Sequence, residues 1–101
     1  MNKYFITIKE NRYDMYDFVI ELFNADYMEE KVMLGNRENI DTLGECLEMI
    51  KSFPLSQTSE LSLVEFKRRN KILKLTNVEQ RFVNGLQETK LVKGIKEIKI
   101  N

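Results

Sequence analysis

Three acidic residues at helical spacing are the clearest candidates for chemistry in this sequence. Asp41, Glu45 and Glu48 fall at i, i+4 and i+7, which places three carboxylates on one face of a helix. Like charges four residues apart destabilise an isolated helix by roughly 0.2–0.5 kcal/mol. A helix with three acids on one face either meets solvent or binds something positive, so an acidic binding face for a basic protein is one interpretation. The alternatives are a solvated helix face and a catalytic carboxylate pair.

Most catalytic chemistry lacks its residues in this chain. There is no histidine and a single cysteine, Cys46, which excludes Ser-His and Cys-His nucleophile pairs and argues against a zinc site. No glycine-rich phosphate-binding motif is present. Because Cys46 lies beside an apolar helical stripe, we expect a buried and unreactive thiol. The sequence predicts neither an enzyme nor a bound cofactor.

Length and composition predict one ordinary globular domain over residues 1–101. The chain has 101 residues, of which 43% are apolar and 32% are charged, within the usual range for globular proteins. No apolar run approaches the roughly 20 residues that a membrane-spanning helix needs. The first residues are too polar for a signal peptide. We therefore expect a cytoplasmic protein that does not enter a membrane.

Charge is distributed unevenly along the chain, although the net charge is zero. Residues 1–51 hold 6 Lys/Arg and 11 Asp/Glu, a balance of −5, whereas residues 52–101 hold 10 and 5, a balance of +5. Such asymmetry indicates a charged interaction face. The alternative is that folding mixes the two halves and evens out the surface charge.

A basic segment at residues 67–74 supports a second hypothesis, a small nucleic-acid-binding or regulatory module. Its cationic residues are Lys67, Arg68, Arg69, Lys71 and Lys74. No aromatic residue is interleaved with them, and the glycine-aromatic signature of RNA-binding sheets is missing. Nucleic acid is therefore the less favoured partner, and a solvated surface element is the simplest interpretation of this segment.

In the first part of the chain the apolar pattern predicts one strand, one helix and one loop. Residues 4–8 form a nearly continuous apolar run, typical of a central strand in a parallel sheet. Residues 15–23 carry apolar side chains at helical spacing, with Asn11 or Asp14 available as a cap. Residues 24–38 are expected to form a loop.

The rest of the chain contains elements with clearer boundaries. They are a helix over 39–51 capped by Asn39 and ended by Pro54, a strand over 61–66, a helix over 78–89 capped by Thr76 or Asn77 and stopped by Gly94, and a strand lined by Ile95, Ile98 and Ile100. Residues 67–75 fit either a short helix or a hairpin strand. The order β-α-α-β-α-α-β predicts a small α/β domain, with a three-stranded, mainly parallel sheet packed by three to four helices.

Several short motifs occur in an order similar to that of one known family. They are Gly35, the run ENIDTLGECL at 38–47, Phe53-Pro54-Leu55, and Leu75-Thr76-Asn77 at the start of a helical segment. In this order they resemble the barstar family of intracellular ribonuclease inhibitors. The resemblance implies a protein, monomeric when free, that blocks the active site of a basic ribonuclease or related toxin enzyme, as an immunity protein does. The acidic helix and the loop before it would place carboxylates where substrate phosphates bind.

The resemblance also assigns partner-binding roles to single residues. Asp41 and Glu45 match the two acidic helix residues of the family, Asn39 its loop-end asparagine, Gly35 its loop glycine, and Met33 stands in place of a contact tyrosine. With Glu48 as the third acid of the helix face, these residues form the predicted site.

Two further positions of the predicted site depart from the family. Gly44 replaces an interface tryptophan, a residue type that often dominates binding energy. Glu88 supplies the acidic contact of the last helix only if the helix phase shifts by one residue. The zero net charge also differs from the strongly acidic family, so a weaker or different partner is the alternative.

Overall fold

A computed structural model describes residues 2–24, 32–53, 59–69, 74–88 and 92–100. These residues form five strands and two helices. In chain order they are β1 (Asn2–Glu10), β2 (Tyr16–Asn24), β3 (Val32–Ile40), α1 (Leu43–Lys51), β4 (Ser59–Lys67), α2 (Asn77–Gln87) and β5 (Val92–Ile100).

The strands form one mixed sheet in the order β3-β2-β1-β4-β5. β1 pairs antiparallel with β2, and β2 with β3, whereas β1 with β4 and β4 with β5 are parallel. The predicted three-stranded, mainly parallel sheet with three to four helices is therefore wrong. A meander of β1, β2 and β3 takes the place of the first predicted strand–helix–loop sequence.

The segment predicted as the first helix is strand β2. Phe18 and Ile20 are almost completely buried, while Val19 and Glu21 between them are only partly buried, so burial alternates with period two. All nine residues of β2 pair with β1. The apolar residues of this stretch satisfy both helical and strand spacing, and pairing along the whole of β1 selects the strand.

The segment predicted as a loop contains edge strand β3. Gly35, expected as a loop glycine, lies inside this strand opposite Ile20. A Cβ built on Gly35 would lie 2.1 Å from Cε1 of Phe53, so the missing side chain lets the Phe53 ring pack against the strand. The Phe53 ring also meets Phe18 edge-on, with centroids 5.9 Å apart. Gly35 therefore serves packing.

The two helices share one face of the sheet and enclose the core with it. The buried apolar side chains include Tyr4, Ile6 and Ile8 of β1, Leu43, Cys46 and Ile50 of α1, and Phe82, Val83 and Leu86 of α2. The predicted central strand at 4–8 is confirmed within β1, and the predicted strand at 61–66 within β4. The helices approach closely at Gly85, where a Cβ would lie 2.4 Å from Cδ2 of Leu47.

The helix boundaries differ from the predicted ones at their caps. α1 begins after Thr42, whose hydroxyl accepts a hydrogen bond from the Glu45 amide at 3.1 Å, so Asn39 is not its cap. α2 is capped by Thr76, one of the two predicted caps, in a capping box with Glu79. α2 ends at Gln87, and Gly94 lies inside β5 rather than stopping the helix.

Two predicted features fall partly or wholly outside the described residues. The first is Pro54, the expected end of the second predicted helix, which is not described. The helix α1 ends before it, at Lys51, with Ser52 as its C-terminal cap. The choice between helix and strand for 67–75 is the other, because residues 70–73 are not described.

Candidate functional site

The acidic residues of the predicted site lie at and after the N-terminal end of α1. Asp41 and Glu45 are exposed, and in the described part of the chain their carboxylates make no ion pair or hydrogen bond. Glu48 is also exposed and lies 3.6 Å from the Lys51 ammonium one turn later. Because exposed i,i+3 pairs are weak, Glu48 remains available to an outside cation.

A buried polar cluster fixes the corner that leads into this acidic end. The Asn11 amide group donates to Oδ1 of Asp17 at 2.9 Å and to Oδ1 of Asn39 at 2.7 Å. The backbone amide of Asn39 donates to the same Asp17 oxygen at 2.9 Å. Asn39 has φ 56°, a left-handed conformation that asparagine tolerates better than most residues. The cluster thus turns the chain from β3 towards Asp41.

Asn39 therefore has a structural task in addition to its predicted role in binding. Its side-chain oxygen accepts from Asn11, and its amide is held by Asp17, although the residue as a whole is exposed. Sequence reasoning missed Asn11 and Asp17 as supports of the site. The available signal was the pair of asparagines before two predicted elements, which we interpreted as helix caps.

The structure does not gather all the predicted site residues in one place. β3 and β4 are oriented in the same direction, and α1 and α2 begin at the end of the sheet where these two strands finish. Both helices therefore run back towards the opposite end of the sheet. Glu88, the C-terminal cap of α2, lies there, about 16 Å along the helix from its start. Met33 lies near the beginning of β3 and is 60% exposed. Asp41, Gly44, Glu45 and Glu48 remain together.

An open groove separates α1 from α2 beside the acidic residues. Its volume is about 320 Å³, and it is lined by Thr42, Gly44, Leu47, Val78, Arg81 and Phe82. A Cβ built on Gly44 would meet only the Thr42 hydroxyl, at 3.8 Å. Gly44 therefore contributes open space at the groove, in contrast to Gly85, which is needed for close packing of the helices.

We expect the substitution Gly44→Ala to stabilise the protein. Alanine lowers the conformational entropy of the unfolded chain and has a higher helix propensity than glycine. The free energy of unfolding should rise by about 0.5–1 kcal/mol when the new methyl group makes no clash. The change is measured as the free energy of unfolding in urea. Gly85→Ala is the matched control and should destabilise, because its methyl group would displace Leu47. Equal effects of the two substitutions would contradict this difference between the glycines.

The two arginines of the basic segment pair with the protein's own acids. The Arg68 side chain is only 3% exposed and forms an ion pair with Glu79, and its Nη1 donates to the carbonyl oxygen of Lys74 at 2.8 Å. Arg69 pairs with Asp14 at 2.7 Å. Lys67 and Lys74 are exposed, and Lys71 lies outside the described residues. This arrangement leaves little cationic surface for a nucleic-acid site based on the two arginines.

Cys46 is completely buried in the core, as predicted. Burial raises the pKa of its thiol to about 12, and the neighbouring Glu45 carboxylate adds to this effect. The thiol therefore stays protonated at neutral pH and is a poor nucleophile. The Cys46 side chain packs in the hydrophobic core between α1 and the sheet.

Several common kinds of site are missing from the described residues. No group of three or more Cys, Asp or Glu side chains within the described ranges is arranged to hold a metal ion. Neither α1 nor α2 is long and apolar enough to cross a membrane, and they are the only helices found in that part of the chain. Comparison with protein-family models, with curated proteins and with solved structures finds no match to this chain.

Proposed function

We propose that this protein is a non-enzymatic inhibitor whose acidic α1 end blocks the cationic active site of a basic ribonuclease or related toxin enzyme. The observation that carries the proposal is the exposure of the Asp41 and Glu45 carboxylates at the start of α1, where neither has a partner among the described residues. The mixed sheet is not the fold that the barstar resemblance implied. The proposal therefore rests on this surface and on the motif order, and not on a shared architecture.

Carboxylates can occupy the place of phosphates because both accept hydrogen bonds from arginine and lysine. Charge-assisted bonds of this kind are stronger than neutral ones, and they need donors and acceptors held in fixed positions. Here the Thr42 cap holds the first turn of α1, and the Asn11 cluster holds the chain just before it. Asp41 and Glu45 therefore need little ordering when they bind.

Binding through this surface should depend strongly on salt. Gly44 offers no aromatic anchor, so charge supplies much of the recognition. Opposite charges speed association, and near physiological ionic strength salt largely screens interactions between exposed charges more than about 8–10 Å apart. A fast, salt-sensitive association is the kinetic signature expected of the complex.

The substitution Asp41→Ala should weaken the complex at least tenfold. Truncating one member of a desolvated charge pair typically costs about 2–5 kcal/mol, and among the described residues Asp41 has no partner whose loss would add to the effect. The measurement is inhibition of RNA cleavage by purified small, basic secreted ribonucleases, titrated with wild-type and variant protein at low salt.

Glu97→Gln is the control, since it removes one exposed carboxylate on β5, away from the acidic end of α1. It should leave the inhibition constant within about twofold of the wild type, as is usual for substitutions outside an interface. An unchanged constant for Asp41→Ala would reject the site assignment. Failure of the wild-type protein to inhibit any of the enzymes at low salt would reject the function.

A further inference from the structure

The groove between α1 and α2 is lined mainly by apolar side chains, with Arg81 on the α2 side and exposed carboxylates close by on α1. Leu47, Val78 and Phe82 supply apolar surface, and Val78 is 52% exposed. Glu48 lies one helical turn after Gly44 and therefore on the same side of α1. Arg81 lines the α2 side.

Gly44 keeps this groove open at a cost to the helix. Glycine in a helix is less favourable than alanine, and nothing within the described structure requires it at position 44, because a Cβ there meets only the Thr42 hydroxyl at 3.8 Å. A side chain larger than a methyl group would occupy the space that now lies between the helices. The groove therefore has room for a side chain from outside the protein.

We infer that the groove receives an apolar side chain of the cationic partner, flanked by basic groups that meet Asp41, Glu45 and Glu48. This inference rests on the proposed function and specifies the partner's chemistry. Charge complementarity selects the occupant, since each exposed carboxylate belongs to a residue next in sequence to one that lines the α1 side of this pocket of about 320 Å³, namely Thr42, Gly44 or Leu47. Arg81 repels cations from the α2 side, which orients the basic groups of the partner towards α1.

Two synthetic peptides test the inference, Arg-Lys-Phe-Lys-Arg and Arg-Lys-Ala-Lys-Arg. They have the same charge and differ only in the apolar side chain. Binding is followed at low salt by the backbone amide chemical shifts of the protein. We expect the phenylalanine peptide to bind at least fivefold more tightly and to shift the amides of Gly44 and Val78.

Gly44→Leu fills the groove and should remove the difference between the peptides while leaving their salt dependence. Gln87→Leu adds the same side chain at an exposed position near the other end of α2 and should preserve the difference. Val78→Ser is a second variant that should reduce it without adding bulk. Each variant is first checked for wild-type chemical shifts away from the substitution.

The peptide experiment gives different results if the groove inference is wrong and if the proposed function of the acidic face is wrong. Equal, salt-sensitive binding of both peptides would overturn the groove and leave the proposed function standing. A preference for phenylalanine that survives in Gly44→Leu would place the apolar contact elsewhere and overturn the groove as well. Absence of binding by either peptide at low salt would count against the acidic face and so against the proposed function.

Discussion

Arg68→Ala is expected to destabilise the protein by about 3–5 kcal/mol, the usual effect of removing one partner from a buried ion pair. The side chains of Arg68 and Glu79 are 3% and 8% exposed, so the remaining carboxylate would have little access to water. Arg68 Nε donates to Oε2 of Glu79 at 2.9 Å, and Oε1 also accepts from the Thr76 amide at 2.8 Å. The loss would therefore loosen the start of α2 as well. Urea unfolding measures the effect.

The neighbouring arginine supplies a matched control. Arg69 pairs with Asp14, but these side chains are 50% and 90% exposed, so Arg69→Ala should cost no more than about 1 kcal/mol. Replacing both buried partners, Arg68→Met with Glu79→Leu, should recover most of the stability lost in Arg68→Ala, because no unpaired charge then remains buried. Similar destabilisation by Arg68→Ala and Arg69→Ala would contradict the structural role of the buried pair.

The burial of Arg68 determines which substitutions can test the nucleic-acid hypothesis. If Arg68 holds α2 to the end of β4, its neutralisation would reduce any activity by unfolding the protein. Lys67→Gln and Lys74→Gln remove exposed charge from the same segment without touching the buried pair. Salt-sensitive RNA binding that is lost in these variants would favour the second hypothesis.

The elements that could be predicted are those whose sequence pattern has one structural solution. The apolar run at 4–8 fits a buried strand, and Thr76, one of two candidate caps, fits the start of the helix that follows. The segment 15–23 was predicted wrongly because Phe18, Val19, Leu22 and Phe23 satisfy two periods at once. β3 was missed because it is an edge strand with mostly exposed residues, which leaves no apolar alternation to detect.

The acidic residues of the candidate site could be predicted from the sequence, but the residues that hold them in position could not. Helical spacing predicts Glu45 and Glu48 on one helix, and both lie exposed on α1, while Asp41 lies close by although it precedes the Thr42 cap. Contacts between residues far apart in sequence, such as Asn11 with Asn39, depend on the register of β1, β2 and β3. Once β2 was taken for a helix, neither this polar cluster nor the groove at Gly44 could be inferred.

Asn11→Ala is expected to destabilise the protein by about 2–4 kcal/mol, the sum of several hydrogen bonds that each contribute about 0.5–1.5 kcal/mol. The Asn11 side chain is 8% exposed. It donates to Asp17 and Asn39 and accepts from the amides of Tyr13 and Met15, at 2.7–3.1 Å. Alanine leaves these groups without their partner, so both the β1–β2 turn and the end of β3 lose support.

The same substitution should weaken inhibition more than the loss of folded protein explains. Asn39 would no longer be tied to the turn, and Asp41 two residues later would sample more positions, so binding would require more ordering. Asn36→Ala is the control, because Asn36 is exposed on β3 and such surface changes stay within about 0.5 kcal/mol. Inhibition is compared at a temperature where both variants are more than nine-tenths folded, as judged by circular dichroism. If Asn11→Ala lowers stability but inhibits as well as Asn36→Ala, the polar cluster supports the fold without positioning the acidic end.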